Sequence, residues 1–363
     1  MRTIERTQVS LVPGRSVTVQ FRLDVNWRSE GNRRETFVAT SGIDVPDEVP
    51  VFSAGDADIA LWRFPSDPLL PGLPVVDDRD RLGALLHQVG IEEETVRTRR
   101  RSYRPGRRAV FEVATPNNRV FVKVVRPRRV AELQRIHTAM AAQIPVPMSH
   151  GWNAEQGIVV LQAMPGRTLR RALEAGSRKL PTGGAVVALL EKLPRLEPAA
   201  AVSGPRRRVR SHARLLQALV PNLADRIAAV VGAVERDAAE PAEAVHGDFH
   251  SSQLLVRGTT LVGLIDVDTA GVGSRSDDLG MLLAHLAALS LTTPGRRTVE
   301  RYGSELITEF DRLVDPRALR LTVAAAVLGF ATGPFRVQQS TWPAQTERRL
   351  VLAEQWTASA AAL

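Results

Sequence analysis

The hydrophobic period of this chain changes once, at Pro165-Gly166. Before that point apolar residues come in short alternating runs, and beyond it they recur mostly at helical spacing to the C-terminus. The pattern predicts a β-rich part, a short hinge and a larger α-rich part, and 363 residues at roughly 150 per domain is length enough for two or more cores. Residues 17–23 and 59–64 read as half-buried antiparallel strands, and residues 64–74, with four prolines in eleven positions, read as an extended connector. These signals place domain boundaries at 1–75, 76–165 and 166–363. Within the middle segment a short helix over 79–89 precedes a three-strand meander at 95–103, 109–114 and 119–125. Pro127 suits a helix start, with Val130, Leu133, Ile136, His137 and Met140 on one face, and strands follow at 148–152 and 157–162. A β-hairpin at 253–256 and 261–267 interrupts the helical remainder.

Several function classes fall away on composition. The chain has no cysteine, which excludes disulfides, thiolate metal sites and cysteine nucleophiles. Its N-terminus lacks the apolar run of a signal peptide, and the apolar stretches 280–291 and 321–330 are short for a bilayer, so the expectation is a cytoplasmic protein with no membrane partner. The net charge of +9 carries little weight, because 45 of the 48 cations are arginine, a bias that points to GC-rich coding. Its distribution says more: residues 97–129 hold twelve cations and one acid, Glu112. An anion is expected to meet the protein there. Nucleic acid is a lesser candidate for that anion, and would show as salt-dependent retention on a polyanion.

The chemistry concentrates in His246-Gly247-Asp248-Phe249-His250-Ser251-Ser252-Gln253, followed by Leu264-Ile265-Asp266-Val267-Asp268. One Asp in a loop, an amide five residues on, and a second Asp at the end of the returning strand place a base and two oxygen ligands at one hairpin. That set suits Mg²⁺ and phosphate. No P-loop, dinucleotide fingerprint or His-rich metal spacing competes with it. His137 and His285, on apolar helical faces, read as core residues, and Trp342 and Trp356 as packing residues.

These residues resemble the catalytic core of the aminoglycoside phosphotransferase and choline kinase-like family, which has the two-lobed protein kinase-like fold, an α+β architecture. In that family an HGD-x4-N loop is followed about eighteen residues after its Asp by a metal-binding Asp, and Asp248 to Asp266 is eighteen residues. The resemblance covers about 79–363. It implies an ATP- and Mg²⁺-dependent transfer of phosphate, with ATP or GTP as donor, to a hydroxyl of a small molecule. Asp248 would be the catalytic base, with His246 and His250 beside it in the loop, Gln253 and Asp266 the metal ligands, and Asp278 the brace of the loop. Lys123, at a strand centre in a chain with only three lysines, would hold the nucleotide phosphates with Glu132 as its partner. Arg107 and Arg108 would approach the phosphates from the first strand turn, and backbone groups of Gln162, Ala163 and Met164 would face the base. Gln253 stands where the family has Asn; that Gln and His250 resemble maltokinase-like sugar kinases, which favours a sugar-type acceptor. The 25 cations and 20 acids of residues 166–363 favour a neutral or anionic one. The first strand turn has a single glycine and no G-x-G-x-x-G, so a catalytically impaired pseudokinase scaffold is the alternative. Residues 1–75, outside the resemblance, are expected to be a small β-rich cap or a protein-binding module.

Overall fold

A computed structural model describes residues 4–28, 31–92, 96–196, 201–235 and 242–363. The chain forms two compact units, one of residues 1–135, 148–163 and 336–338 and the other of residues 136–147, 164–335 and 339–363. The division before Met164 lies two residues ahead of the change in hydrophobic period.

The first unit contains two antiparallel sheets. Strands β1 (Ile4–Val12), β2 (Ser16–Trp27), β3 (Gly31–Ser41), β4 (Val51–Ala54) and β5 (Ala57–Arg63) form one, in the order β1-β2-β3-β5-β4. After helices α1 (Leu73–Asp77) and α2 (Arg79–Gln88), strands β6 (Arg97–Arg104), β7 (Arg108–Ala114) and β8 (Arg119–Val125) open the other. Residue 95, where the first of these was expected to start, lies outside the described residues. The helix α3 (Val130–Ala141) follows, and β9 (Ser149–Asn153) and β10 (Ile158–Gln162) complete a sheet of order β6-β7-β8-β10-β9. The expected three-strand meander is therefore part of five strands. Alternation in β8 sends Val120, Val122 and Val124 to one apolar cluster and Phe121 and Val125 to another, which also contains Val130, Leu133, Val159 and Leu161.

Residue 75 marks no break in packing. Val38, Ala60 and Trp62 of the first sheet share one buried cluster with Leu73 and Val76 of α1, Leu82 and Leu86 of α2, and Phe111, Val113 and Val122 of the second sheet. The proline-rich connector is not extended either. It turns at Asp67, with Leu70 N–H donating to Asp67 O at 3.1 Å, and enters α1 with Pro74 in the first turn, where a helix needs no donor. Asp67, 3% exposed, is the hub: its Oδ2 accepts from Tyr103 O–H at 2.8 Å and Gly106 N–H at 2.7 Å, and its Oδ1 from Leu69 N–H at 3.0 Å. Trp62 Nε1–H donates to the Tyr103 hydroxyl at 3.2 Å. A side chain from residues 1–75 thus fixes the β6–β7 turn.

The second unit is mainly helical: β11 (Arg167–Thr168), α4 (Leu169–Glu174), α5 (Gly183–Glu191), α6 (Pro205–Leu219), α7 (Ala224–Glu235), β12 (Glu243–Val245), β13 (Leu254–Arg257), β14 (Thr260–Leu264), β15 (Gly271–Gly273), α8 (Arg275–Ser290), α9 (Arg296–Phe310), α10 (Pro316–Phe330), α11 (Gly333–Arg336) and α12 (Trp342–Ala361). The apolar stretches noted in the sequence are its central helices. Every residue of α10 from 318 to 328 is buried. By length and composition 316–336 could cross a membrane, but most of it is consumed by packing inside this unit. Gly280 of α8 lets the two helices meet, since a Cβ there would lie 2.6 Å from the Thr322 side chain of α10.

Replacing Asp67 with Ala leaves the buried Gly106 N–H and Tyr103 O–H without their acceptor. The expected cost is about 2–4 kcal/mol of unfolding free energy, measured by urea denaturation; an unchanged midpoint would show that residues 1–75 do not support the second sheet.

Candidate active site

The loop between β12 and β13 is held from α8. A capping box at Ser274 and Asp277 fixes the start of that helix and so the position of the next residue, Asp278. The fully buried Asp278 carboxylate accepts from His246 N–H through Oδ2 at 2.7 Å and from Gly247 N–H through Oδ1 at 2.9 Å. Burial pushes its pKa up, against those two bonds and the nearby His246 and Arg275, which pull it down. Gly247 sits at φ 81°, and a Cβ there would lie 2.5 Å from Thr269 O, so the turn admits only glycine.

His246 was placed with the catalytic side chains by sequence; its geometry is that of a support. It is fully buried, its Nε2 lies 3.1 Å from Ile265 O, and its Nδ1 accepts from Asp248 N–H at 3.3 Å. Phe249 enters the core beneath it, with the rings edge to face at 5.9 Å. The Asp248 side chain is left 41% exposed.

The hairpin brings Gln253 and Asp266 together. Ile265 N–H donates to Gln253 O at 3.0 Å, after which the chain turns sharply at Asp266, at φ 58°. The second strand therefore ends at Leu264, short of the expected Val267. A non-glycine residue in the left-handed region is held there by its surroundings, as is common at functional sites. Gln253 Nε2 lies 3.4 Å from Asp266 Oδ2 and 3.3 Å from His250 Nε2, which is 3.8 Å from Asp248 Oδ2. Asp248, His250, Gln253 and Asp266 thus form one cluster. Among the described residues no group of three or more His, Asp or Glu side chains is arranged around a metal position. One carboxylate and one amide fit Mg²⁺, which keeps several positions for water and phosphate oxygens.

Sequence reasoning placed His285 in the core and missed its contact with the loop. Its ring stacks on His250 at 4.6 Å and 15°, and its Nδ1 lies 2.8 Å from Ser251 Oγ. Asp278 and His285 are seven residues apart, two helical turns, so one face of α8 grips the loop near both ends. That i, i+7 spacing was the available signal. Arg170 N–H at the start of α4 also holds the loop, through Ser251 O at 2.8 Å. His137, likewise read as core, is buried with its Nε2 3.6 Å from Asp268 Oδ1. A cavity of about 350 Å³ is lined by Leu283, Leu286 and Ala287 of α8 with Ile307 and Trp356. Those α8 positions lie about 100° to 160° around the helix from His285, so the cavity opens away from the loop.

The remaining expected residues lie in the first unit, apart from Met164. Lys123 is centred in β8 between Val110 of β7 and Val159 of β10, and it is 4% exposed, unlike a lysine on a solvated sheet face. Glu132, in the first turn of α3, carries an ion pair with Arg129 at 2.5 Å. Arg107 and Arg108 flank the end of the β6–β7 turn, where Gly106 takes φ 63° and Gly106 O accepts from Arg126 Nε–H at 2.7 Å. Of the hinge amides, Gln162 N–H donates to Met148 O at 2.8 Å and Ala163 N–H to Arg119 O at 3.2 Å. Those two amides are bonded within the sheet, so of the backbone groups expected to face a nucleotide base these two N–H groups already have acceptors.

Burial holds His285 neutral, its pKa pushed down to about 3 with His250 adding to the effect, and pushes His212 down to about 4. Both folded values lie below the unfolded value near 6.5, so the unfolded chain binds more protons and stability falls as pH drops through 6.5. Between pH 6.5 and 5 the loss is about 2 kcal/mol per histidine. Denaturation at both pH values is expected to show it, and His285→Phe to remove about half; a variant with the parent's full pH dependence would contradict a neutral His285.

The fold and the loop agree with the comparisons. The chain is similar in structure to aminoglycoside phosphotransferase APH(4)-Ia, as a thermostable mutant in its apo form (15% identity, 77% of this chain and 99% of that one, TM-score 0.55). Another mutant of that enzyme, in ternary complex with AMP-PNP and hygromycin B, gives 14% identity over 76% and 96% of the two chains at TM-score 0.54. A putative aminoglycoside phosphotransferase from Ralstonia eutropha gives 12% identity over 78% and 98% at TM-score 0.51. A search of curated proteins gave no significant match. Residues 101–319, more than half of the chain and including the whole braced loop, match the model of the phosphotransferase enzyme family, so this chain belongs to that family and is a small-molecule phosphotransferase of protein kinase-like fold.

Proposed function

We propose that the protein transfers the γ-phosphate of ATP or GTP, with Mg²⁺, to a hydroxyl of a small neutral or anionic molecule of sugar type. The observation that carries this reading is the loop itself, which buries its supports His246, Ser251 and Asp278 and leaves the Asp248 side chain 41% exposed in one cluster with Gln253 and Asp266. Asp248 would orient the acceptor hydroxyl and take its proton as the new O–P bond forms and the bond from the γ-phosphorus to the β–γ bridging oxygen breaks. Gln253 and Asp266 would hold Mg²⁺, which when bound offsets the charge of the phosphate oxygens. Lys123 would contribute a buried cation toward the phosphates, with Arg107 and Arg108 beside it. Bound AMP-PNP in a relative of the same fold supports a nucleotide donor. One observation favours the scaffold reading: the Gly106 amide of the β6–β7 turn is taken by Asp67 and cannot cradle a phosphate.

Thermal melting with ATP or GTP, each with and without Mg²⁺, tests the donor. A magnesium-dependent rise on the order of a few degrees is expected at saturation, lost in Lys123→Ala and in Asp266→Ala. Asp248→Asn should keep the rise while transfer falls by about 10²- to 10⁴-fold. No rise at millimolar nucleotide would overturn the kinase reading in favour of a scaffold.

A further inference from the structure

The contacts of His250 contain a conflict that identifies its role. Ser252 N–H donates to His250 Nδ1 at 3.2 Å, so that nitrogen presents a lone pair. An imidazole that accepts at Nδ1 is neutral, because the charged ring carries a proton on both nitrogens. A neutral imidazole carries one proton, and with Nδ1 as acceptor that proton sits on Nε2. Nε2–H then points at the Gln253 amide 3.3 Å away, where the nitrogen of the amide also stands. Two donors face each other.

Turning the amide by 180° resolves the clash, because its oxygen and nitrogen are interchangeable in shape. Oε1 then accepts from His250 Nε2–H, but it also comes to face Asp266 Oδ2, from which the amide nitrogen now stands 3.4 Å. Two oxygens at that separation repel unless a cation lies between them. One amide orientation thus suits Asp266 alone, and the other suits His250 together with a cation.

We propose that His250 is a positioning residue that turns the Gln253 amide oxygen toward Asp266 and so prepares an oxygen pair for the divalent cation. The inference rests on the reading of Gln253 and Asp266 as metal ligands given above. The supports of His250 serve this task. His285 stacks on its ring, Ser251 holds His285 through Nδ1, and Phe330 meets the His285 ring edge to face at 6.1 Å. The ring cannot swing freely, and the Ser252 amide fixes its tautomer. Gln253 has one methylene more than the Asn of the family motif, and its longer side chain needs this second constraint to choose an orientation.

Two measurements on the full chain test it. Long-range ¹H–¹⁵N correlation on histidine-labelled protein should show His250 protonated on Nε2; a proton on Nδ1 overturns the proposal directly. Mn²⁺ binding in the presence of ADP, followed by the electron paramagnetic resonance signal of the free ion, supplies the other readout. Asp266→Ala should abolish binding. His250→Phe, which keeps a ring for His285 to stack on, should weaken it by about 10- to 100-fold. His250→Gln, which can return an N–H donor toward the same place, should restore binding to within about threefold of the parent, a recovery that a merely space-filling role would not give. Full Mn²⁺ affinity in His250→Phe with none in Asp266→Ala overturns the positioning role and leaves the metal site standing. Unchanged affinity in Asp266→Ala overturns the metal site itself.

Discussion

The geometry of this site depends on one carboxylate. Asp278, fully buried, receives the backbone N–H groups of His246 and Gly247 and so sets the path of the loop that carries Asp248. A buried carboxylate is costly unless its hydrogen bonds are made, and here the two donors are loop amides that would themselves be unsatisfied without it. Neither side can relax without loss to the other. The same helix supplies His285 two turns later, so α8, packed closely on α10 at Gly280, acts as a rigid support from which the loop is suspended.

Relations within short stretches were legible in the sequence. The eighteen residues from Asp248 to Asp266 fit a loop, two strands and a tight turn, and that local geometry brings Gln253 and Asp266 together. Asp278 could be read in the same way, because it follows the hairpin at the head of a helix. The contacts that sequence did not reveal join residues through tertiary packing. An apolar helix face carrying His285 reads as core, and the residue is half-buried, but packing against the Asp248 loop and packing against leucines look alike in a sequence. The end of β14 was missed for a related reason. Apolar alternation continues through Val267, while the Asp266 backbone takes a conformation that side-chain pattern does not encode.

The N-terminal residues show the limit most clearly. Four prolines between 64 and 74 suggested a connector, yet the segment turns at Asp67 and enters α1. Proline excludes a regular ladder, but it does not exclude a tightly bonded turn or the first turn of a helix. The consequence is functional as well as structural. Asp67 takes the Gly106 amide, the kind of group that a glycine-rich loop would offer to phosphate.

The central claim is that the braced loop transfers phosphate through Asp248. The most direct test is ³¹P nuclear magnetic resonance of the protein with ATP, Mg²⁺ and a panel of sugars, amino sugars and amino alcohols. The account predicts equal appearance of ADP and a new phosphomonoester signal with the parent protein, and neither above background with Asp248→Asn. Product formed at the parent rate by Asp248→Asn, or ATP bound by the parent and left intact with every acceptor, would contradict it.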